Sequence, residues 1–304
     1  MKLPPSARLR LTVAGTLLAL TAGGCATTAA KTESGTGAGA VFDQSLHDKL
    51  PQRIQQGGVI RLATDPTYAP MESYAADGQT VIGFEPDLAD ALGSVLGVKV
   101  TLIPADFGTM LQETNKGTFD GVLSSMTDTA PREKLADFID YFSAGLAIVV
   151  QRGNPQGVTD LAGLCGQTVA LEKGTVQVDL LHRAQPSCGA RPIIVRTYKT
   201  NADALLQVRT GRATATLNDY PPAAYLANDV RTRSYYQLAS TVQYEPGLFG
   251  LAVAKNNTEL RDALHSALDE IMKSGLYAEL LQRWGLSSGA LTASSINAGA
   301  VTRS

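Results

Sequence analysis

Two apolar runs that turn abruptly polar constrain this chain more than any other feature: GLAIVVQRGN at 145–154 and PGLFGLAVAKNN at 246–257. Each has the length and composition of a buried strand. Each is flanked by segments in which short β-like runs alternate with helix-like ones. Before the first run, VIRLAT (59–64), VKVTLI (98–103) and FDGVLS (119–124) read as strands. PDLADALGSVLG (86–97) and FGTMLQETNKG (107–117) read as helices, the former with Leu88, Ala91, Leu92 and Val95 on one face and Gly97 as its stop. Between the two runs, TVALE (168–172), IIVRTY (193–198) and ATATLND (213–219) read as strands. TVQVDLLHR (175–183), NADALLQVRTG (201–211) and PPAAYLAND (221–229) read as helices, with Asn201 as an N-cap and Gly211 just past a C-terminus. After the second run, 258–284 carries Leu260, Leu264, Ala267, Leu268 and Ile271 at helical spacing, broken at Gly275.

This alternation predicts an α/β fold with mainly parallel sheets. The paired crossovers predict two lobes joined by two hinge strands. One lobe is discontinuous, 58–148 plus 250–285, and the other is 149–249. Lobes joined this way can hinge, and the cleft between them is a natural ligand site. The small, polar tail at 286–304 is expected to be disordered.

Hydrophobic residues make up 44% and charged residues 18% of the 304 residues, a globular composition, and the net charge of -2 with no basic block argues against a nucleic-acid partner. The N-terminus reads as a targeting segment: Lys2, Arg8 and Arg10 precede an apolar stretch at 11–20, and small residues follow, ending in TAGGC. A Cys behind such a stretch resembles a lipobox, although Ala22 stands where Leu is more usual. Residues 1–24 would then be a lipoprotein signal peptide and Cys25 the lipidated first residue; ordinary cleavage with Cys25 incidental is the alternative. Residues 25–57 would form the lipidated terminus and a flexible tether. Cys165 and Cys188 would bridge in an oxidising compartment. The three His residues are scattered, so no metal site is expected, and no cofactor is implied.

SSMTDTAPREK at 124–134 gathers hydroxyls ahead of an Arg, at the end of a strand and the start of a helix-like REKLADF. A cation disfavours a helix N-terminus on dipole grounds. Arg132 either pairs with Glu133 or Asp137 on the surface, or clamps an outside anion such as a ligand carboxylate.

ATDPTYAPMES, GFEPDLADAL, FDGVLSSMTDTAPREKLADF, LEKGTVQ, TGRATATLND and the terminal RWG stand in the order found in the polar amino-acid-binding family of solute-binding proteins that feed ABC importers. The span 58–285 resembles that family, most of all its lysine/arginine/ornithine- and histidine-binding members. The resemblance implies a periplasmic-binding-protein type II-like fold and a site. Arg132, Thr127 and Thr175 would hold a ligand α-carboxylate. Asp219 and Ser125 would take the α-ammonium. Tyr68 and Phe107 would sandwich the side chain, Asp65 would meet its far end, and Ser124 and Gln177 belong to the same motifs. Val176 stands where relatives often carry a second hydroxyl, Met71 where an aromatic is common, and Glu85 where Asp is usual. Taken alone, several of these residues have plainer readings: Asp65 as a turn residue, Tyr68 and Phe107 as core aromatics, Asp219 and Thr175 as helix caps.

The function implied is a non-enzymatic, monomeric, lipid-anchored receptor on the outer face of the cytoplasmic membrane. It would capture a polar, basic or amide, L-amino acid and deliver it to permease subunits driven by a separate ATPase, since this chain has no P-loop. Arogenate or prephenate dehydratases share the fold. Such an enzyme needs an acid/base group in the cleft, for which Glu172 and Lys173 are candidates. A sensor ectodomain is a third class.

Overall fold

The computed structural model describes residues 39–299. The segment expected to be a signal peptide, 1–24, and Cys25 lie outside the described residues. Helices α1 (Gln44–His47) and α2 (Gln52–Gly57) come first. The Asp43 carboxylate accepts from the N–H groups of Ser45 and Leu46 and caps α1. Leu46, Leu50 and Ile54 enter the core, so the expectation of a tether reaching residue 57 is corrected: three apolar side chains at helical spacing give this segment a face to bury.

Strand β1 (Val59–Thr64) leads into a small antiparallel sheet of β2 (Thr67–Tyr68), β3 (Glu72–Tyr74) and β4 (Val81–Ile82). Helix α3 (Phe84–Leu96) ends at Gly97, whose φ of 65° is left-handed. Then follow β5 (Lys99–Pro104), a 3-10 turn at Phe107–Thr109, α4 (Met110–Asn115), β6 (Gly121–Val122) and α5 (Ala130–Glu133). The helix-like REKLADF contributes only its first two residues to α5. From Ala136 the chain is extended as β7 (Ala136–Gln151), 16 residues or roughly 50 Å. Phe138, Ile139, Tyr141 and Phe142 are all buried, and two-sided burial in a sheet overrides the local helical pattern.

The next pass gives β8 (Thr168–Glu172), α6 (Val176–Ala184), β9 (Ile194–Tyr198), α7 (Asn201–Arg209), β10 (Ala215–Asp219) and α8 (Tyr220–Asn228). Thr200, not Asn201, caps α7, its hydroxyl accepting from the Asp203 N–H at 3.1 Å. The Cys165–Cys188 disulfide ties the turn before β8 to the turn after α6. Strands β11 (Tyr236–Leu238) and β12 (Tyr244–Ala254) precede α9 (Thr258–Lys273) and α10 (Leu276–Trp284), which part at Gly275. Strand β13 (Ser295–Ile296) closes the described chain. It pairs with β7 at Asp140 and Ile139, which corrects the disordered-tail expectation over 286–299. The tail is held because β7 would otherwise present an unpaired edge there.

Among the described residues ten strands form one sheet, ordered β5-β1-β6-β12-β7-β10-β8-β9 with β11 and β13 against β7. Pairing is parallel at both flanks and antiparallel around β12 and β7. The architecture is thus α/β, and its cores fall into two lobes. In the first, α3, α9 and α10 cover one face around Phe84, Tyr141 and Phe249, and α4 covers the other around Met110 and Phe138. In the second, Leu146, Ile148 and Val150 of β7 face a core with Leu180 and Leu181, while Ala147 and Val149 face one with Leu205 and Val208. One strand therefore serves both lobes. Register shifts in β12 between Tyr244 and Gly247 and between Phe249 and Gly250 bend its return path.

Candidate functional site

The lobes meet over a cavity lined by residues of both. Strand ends and helix starts deliver its walls, since a parallel strand leaves its last residue beside the start of the next helix. From the first lobe come Asp65 after β1, Tyr68 on β2, Phe107 on the 3-10 turn, Ser124, Ser125 and Thr127 after β6, and Arg132 on α5. From the second come Thr175 and Gln177 at the start of α6 and Asp219 at the end of β10. All ten site residues expected from the sequence thus line one cavity. Glu72, Glu172, Val176, Asn201 and Leu217 also line it.

Arg132 donates to the Thr127 carbonyl at 2.7 Å and, across the lobes, to the Gly174 carbonyl at 3.0 Å. Its guanidinium carbon lies 5.5 Å from the centre of the Phe107 ring. Asp137, one surface partner considered for Arg132, is held by Lys255 and Arg261. Asp219 sits at the N-cap of α8 but makes no side-chain cap. Its carboxylate accepts from the Tyr68 hydroxyl at 2.6 Å and from Gln177 at 3.2 Å, and its N–H donates back to the Tyr68 oxygen at 2.7 Å. Burial, then the Asp219 charge, pushes the Tyr68 phenol well above its usual range. Thr175 also leaves its N-cap unfilled; its hydroxyl donates to the Glu172 carbonyl at 2.8 Å. Asn201, having lost the cap role, donates to the Thr67 carbonyl of the opposite lobe at 3.2 Å.

Beneath the cavity runs a buried acid network. The Ser125 N–H and hydroxyl donate to Glu85 at 2.7 and 2.8 Å, and the Tyr141 hydroxyl donates to the same oxygen. Those bonds hold Ser125 at a φ of 44°, a strained conformation for Ser. The Ser124 hydroxyl accepts from the Asp65 N–H at 2.9 Å and donates to Glu72 at 3.1 Å. Burial and the neighbouring Glu85 push the Glu72 carboxyl well up. Burial, with Asp65 beside it, pushes Glu172 up to about 10. Asp65 is raised by its own burial, the neighbouring Glu172 acting in the opposite sense. Nothing in the local sequence marks Glu72 or Glu85 as site residues, because their partners lie 40 or more positions away. Among the described residues no group of three or more His, Cys, Asp or Glu is arranged to hold a metal ion.

A fixed cation and a fixed anion thus face one cavity from opposite lobes, with aromatic walls and buried acids around them. The model for bacterial extracellular solute-binding proteins, family 3, matches residues 60–287. An arginine-binding protein of Corynebacterium glutamicum is 30% identical over 254 residues, covering 82% of this chain and 81% of that protein. The solved structure of an ancestral arginine-binding protein bound to arginine superposes with a TM-score of 0.69 at 29% identity, covering 75% of this chain and 98% of that one. An ancestral amino acid-binding protein described as a precursor of cyclohexadienyl dehydratase gives 0.68 at 31% identity, covering 79% and 99%. This chain belongs to family 3 of the bacterial extracellular solute-binding proteins.

Proposed function

We propose that this protein is the receptor of an ABC importer, capturing a polar L-amino acid between its lobes and delivering it to transmembrane permease subunits driven by a separate ATPase. The observation that carries the reading is the pair Arg132 and Asp219, presented to one cavity by different lobes. A zwitterion is matched by one fixed cation and one fixed anion. Arg132, Thr127 and Thr175 take the α-carboxylate; Asp219 and Ser125 take the α-ammonium. Tyr68 and Phe107 flank the side chain, whose far end meets Asp65, with Ser124 and Gln177 supporting the walls. Because the two charges sit on separate lobes, binding energy favours the closed arrangement. Export, lipid attachment at Cys25 and action as a monomer complete the proposal.

A thermal-shift panel of the common amino acids, ornithine and citrulline tests it. At one hundred times its dissociation constant a ligand adds about 2.7 kcal/mol of stability. The expected result is a shift of several degrees with a polar amino acid, lost in Arg132→Ala. No shift with any α-amino acid overturns the reading.

One observation favours a second reading, an arogenate or prephenate dehydratase. Glu172 stands in the cleft with its carboxyl raised to about 10, so it holds a proton at neutral pH as a general acid must. Incubation with prephenate decides it: turnover lost in Glu172→Gln supports an enzyme, and no turnover removes this reading.

A further inference from the structure

The cavity holds more acid than a zwitterion can use. Asp219 and Arg132 answer the two backbone charges of an amino acid. Asp65, Glu72 and Glu172 remain, and Arg132 is the one cation among the described residues lining the cavity. Asp65, only 5% exposed, follows β1 in the first lobe. Glu172 ends β8 in the second. The buried oxygens Asp65 Oδ2 and Glu172 Oε1 find no hydrogen-bond partner among the described residues. The two carboxyls lie against each other, one from each lobe, and share a hydrogen bond when one of them is protonated.

We propose that Asp65 and Glu172 form a receptor for a cationic side chain, a guanidinium or ammonium group, which displaces a proton from the pair as it binds. The proposal rests on the reading of the cleft as an amino-acid site and assigns Glu172 as its specificity-determining residue. Two neighbouring carboxyls in a buried space, with the one lining cation, Arg132, bonded to backbone carbonyls, cannot readily both ionise, so the pair keeps a proton. Asp106 deepens that effect on both carboxyls, and the other titratable groups around them are acids too. Asp106 before the 3-10 turn, Glu72 on β3 with Glu85 behind it, Tyr68 on β2 and Asp219 on β10 are all acidic. Arg132 is engaged with the Thr127 and Gly174 carbonyls. Lys173 follows Glu172 with its side chain exposed. When a guanidinium enters, the Glu172 carboxylic acid becomes a carboxylate paired with it, and one proton goes to solvent. An uncharged ureido or amide side chain supplies donors but no charge, so the proton stays.

The sign follows from linkage. Binding that releases a proton strengthens as pH rises. The window lies below the free-state value of Glu172, about 10, and affinity for a cationic ligand gains close to tenfold per pH unit there.

Isothermal titration of the protein with arginine, lysine, citrulline and glutamine at pH 7, in two buffers of different ionisation enthalpy, counts the protons directly. Repetition from pH 6 to 8 gives the slope. The expected result is about one proton released per arginine or lysine, none per citrulline, and a preference for arginine over its ureido isostere of more than tenfold. Glu172→Gln and Asp65→Asn should each abolish the release and flatten the slope. Arginine binding without proton release, or citrulline binding as tightly as arginine, overturns the proposal and leaves the amino-acid reading standing. If no α-amino acid binds, both fall together. The proton count on the unsubstituted protein decides the matter even if a variant fails to fold.

Discussion

At the scale of single residues, Arg132 and Asp128 do different kinds of work. The Arg132 fork reaches two carbonyls, one on each lobe, while remaining at the cavity wall. A lysine keeps the charge but not the planar fork. Arg132→Lys is expected to weaken amino-acid binding by roughly tenfold to a hundredfold, about 1.4–2.7 kcal/mol, read by titration calorimetry, with the circular dichroism spectrum unchanged. Asp128 is fully buried next to Asp140, and burial raises its carboxyl from the ordinary 3.8 to about 8. The folded protein therefore keeps a proton that the unfolded chain gives up near pH 4. Between those values the folded state binds more protons, so this group subtracts stability as pH rises. Asp128→Asn is expected to melt progressively higher relative to the parent from pH 5 to pH 8. A difference that stays constant over that range would sink the assignment.

At the scale of elements, the loop between β8 and α6 carries both a lobe contact, at Gly174, and part of the cavity lining, at Thr175. Gly174 has a φ of 82°, and a Cβ there would lie 3.0 Å from the Gly108 Cα of the other lobe. Gly174→Ala combines left-handed strain of about 1–2 kcal/mol with a bump between closing surfaces. It is expected to reduce ligand affinity by about tenfold while sparing the separate cores, which scattering with and without ligand can follow. The disulfide clips a loop of 23 residues in the same lobe. Cys165→Ser with Cys188→Ser is expected to cost about 3 kcal/mol, seen in denaturant melts, with ligand selectivity retained because the bridge lies away from the cavity lining.

At the scale of the whole molecule, β7 and β12 connect two cores, and the C-terminal segment is fastened to the first-lobe half of β7. Asn297 exchanges bonds with Phe138, donating from its backbone N–H and accepting at its side-chain oxygen. Ser295 and Ala298 donate to Asp140, and Gly299 donates to Asp128. Deletion of 290–304 removes these bonds and bares a strand edge. At about 1 kcal/mol for each bond, the loss should approach several kcal/mol. A melting temperature unchanged by the deletion would show that the segment is decorative. Asp128 follows Thr127, which lines the cavity, so the same deletion tests whether the cavity-lining loop depends on the tail.

Local pattern determined the element types, because apolar spacing and glycine stops act within a turn or a strand: Gly97 and Gly275 end helices where the pattern says they should. It also determined the order of motifs, hence the family and the gathering of Arg132, Thr127, Thr175 and Asp219 into one cleft. It failed at 132–138, where burial on two sheet faces outweighed helical spacing, and at Asn201, where the Thr200–Asp203 pair took the cap. It could not reveal the tail on β7, or Glu85 beneath Ser125, or Glu72 beneath Ser124. Those depend on residues far apart in the chain, brought together only when the sheet closes around them. Charge state was decided there too: a glutamate in sequence is an anion by default, and only burial beside Asp65 makes Glu172 an acid that keeps its proton.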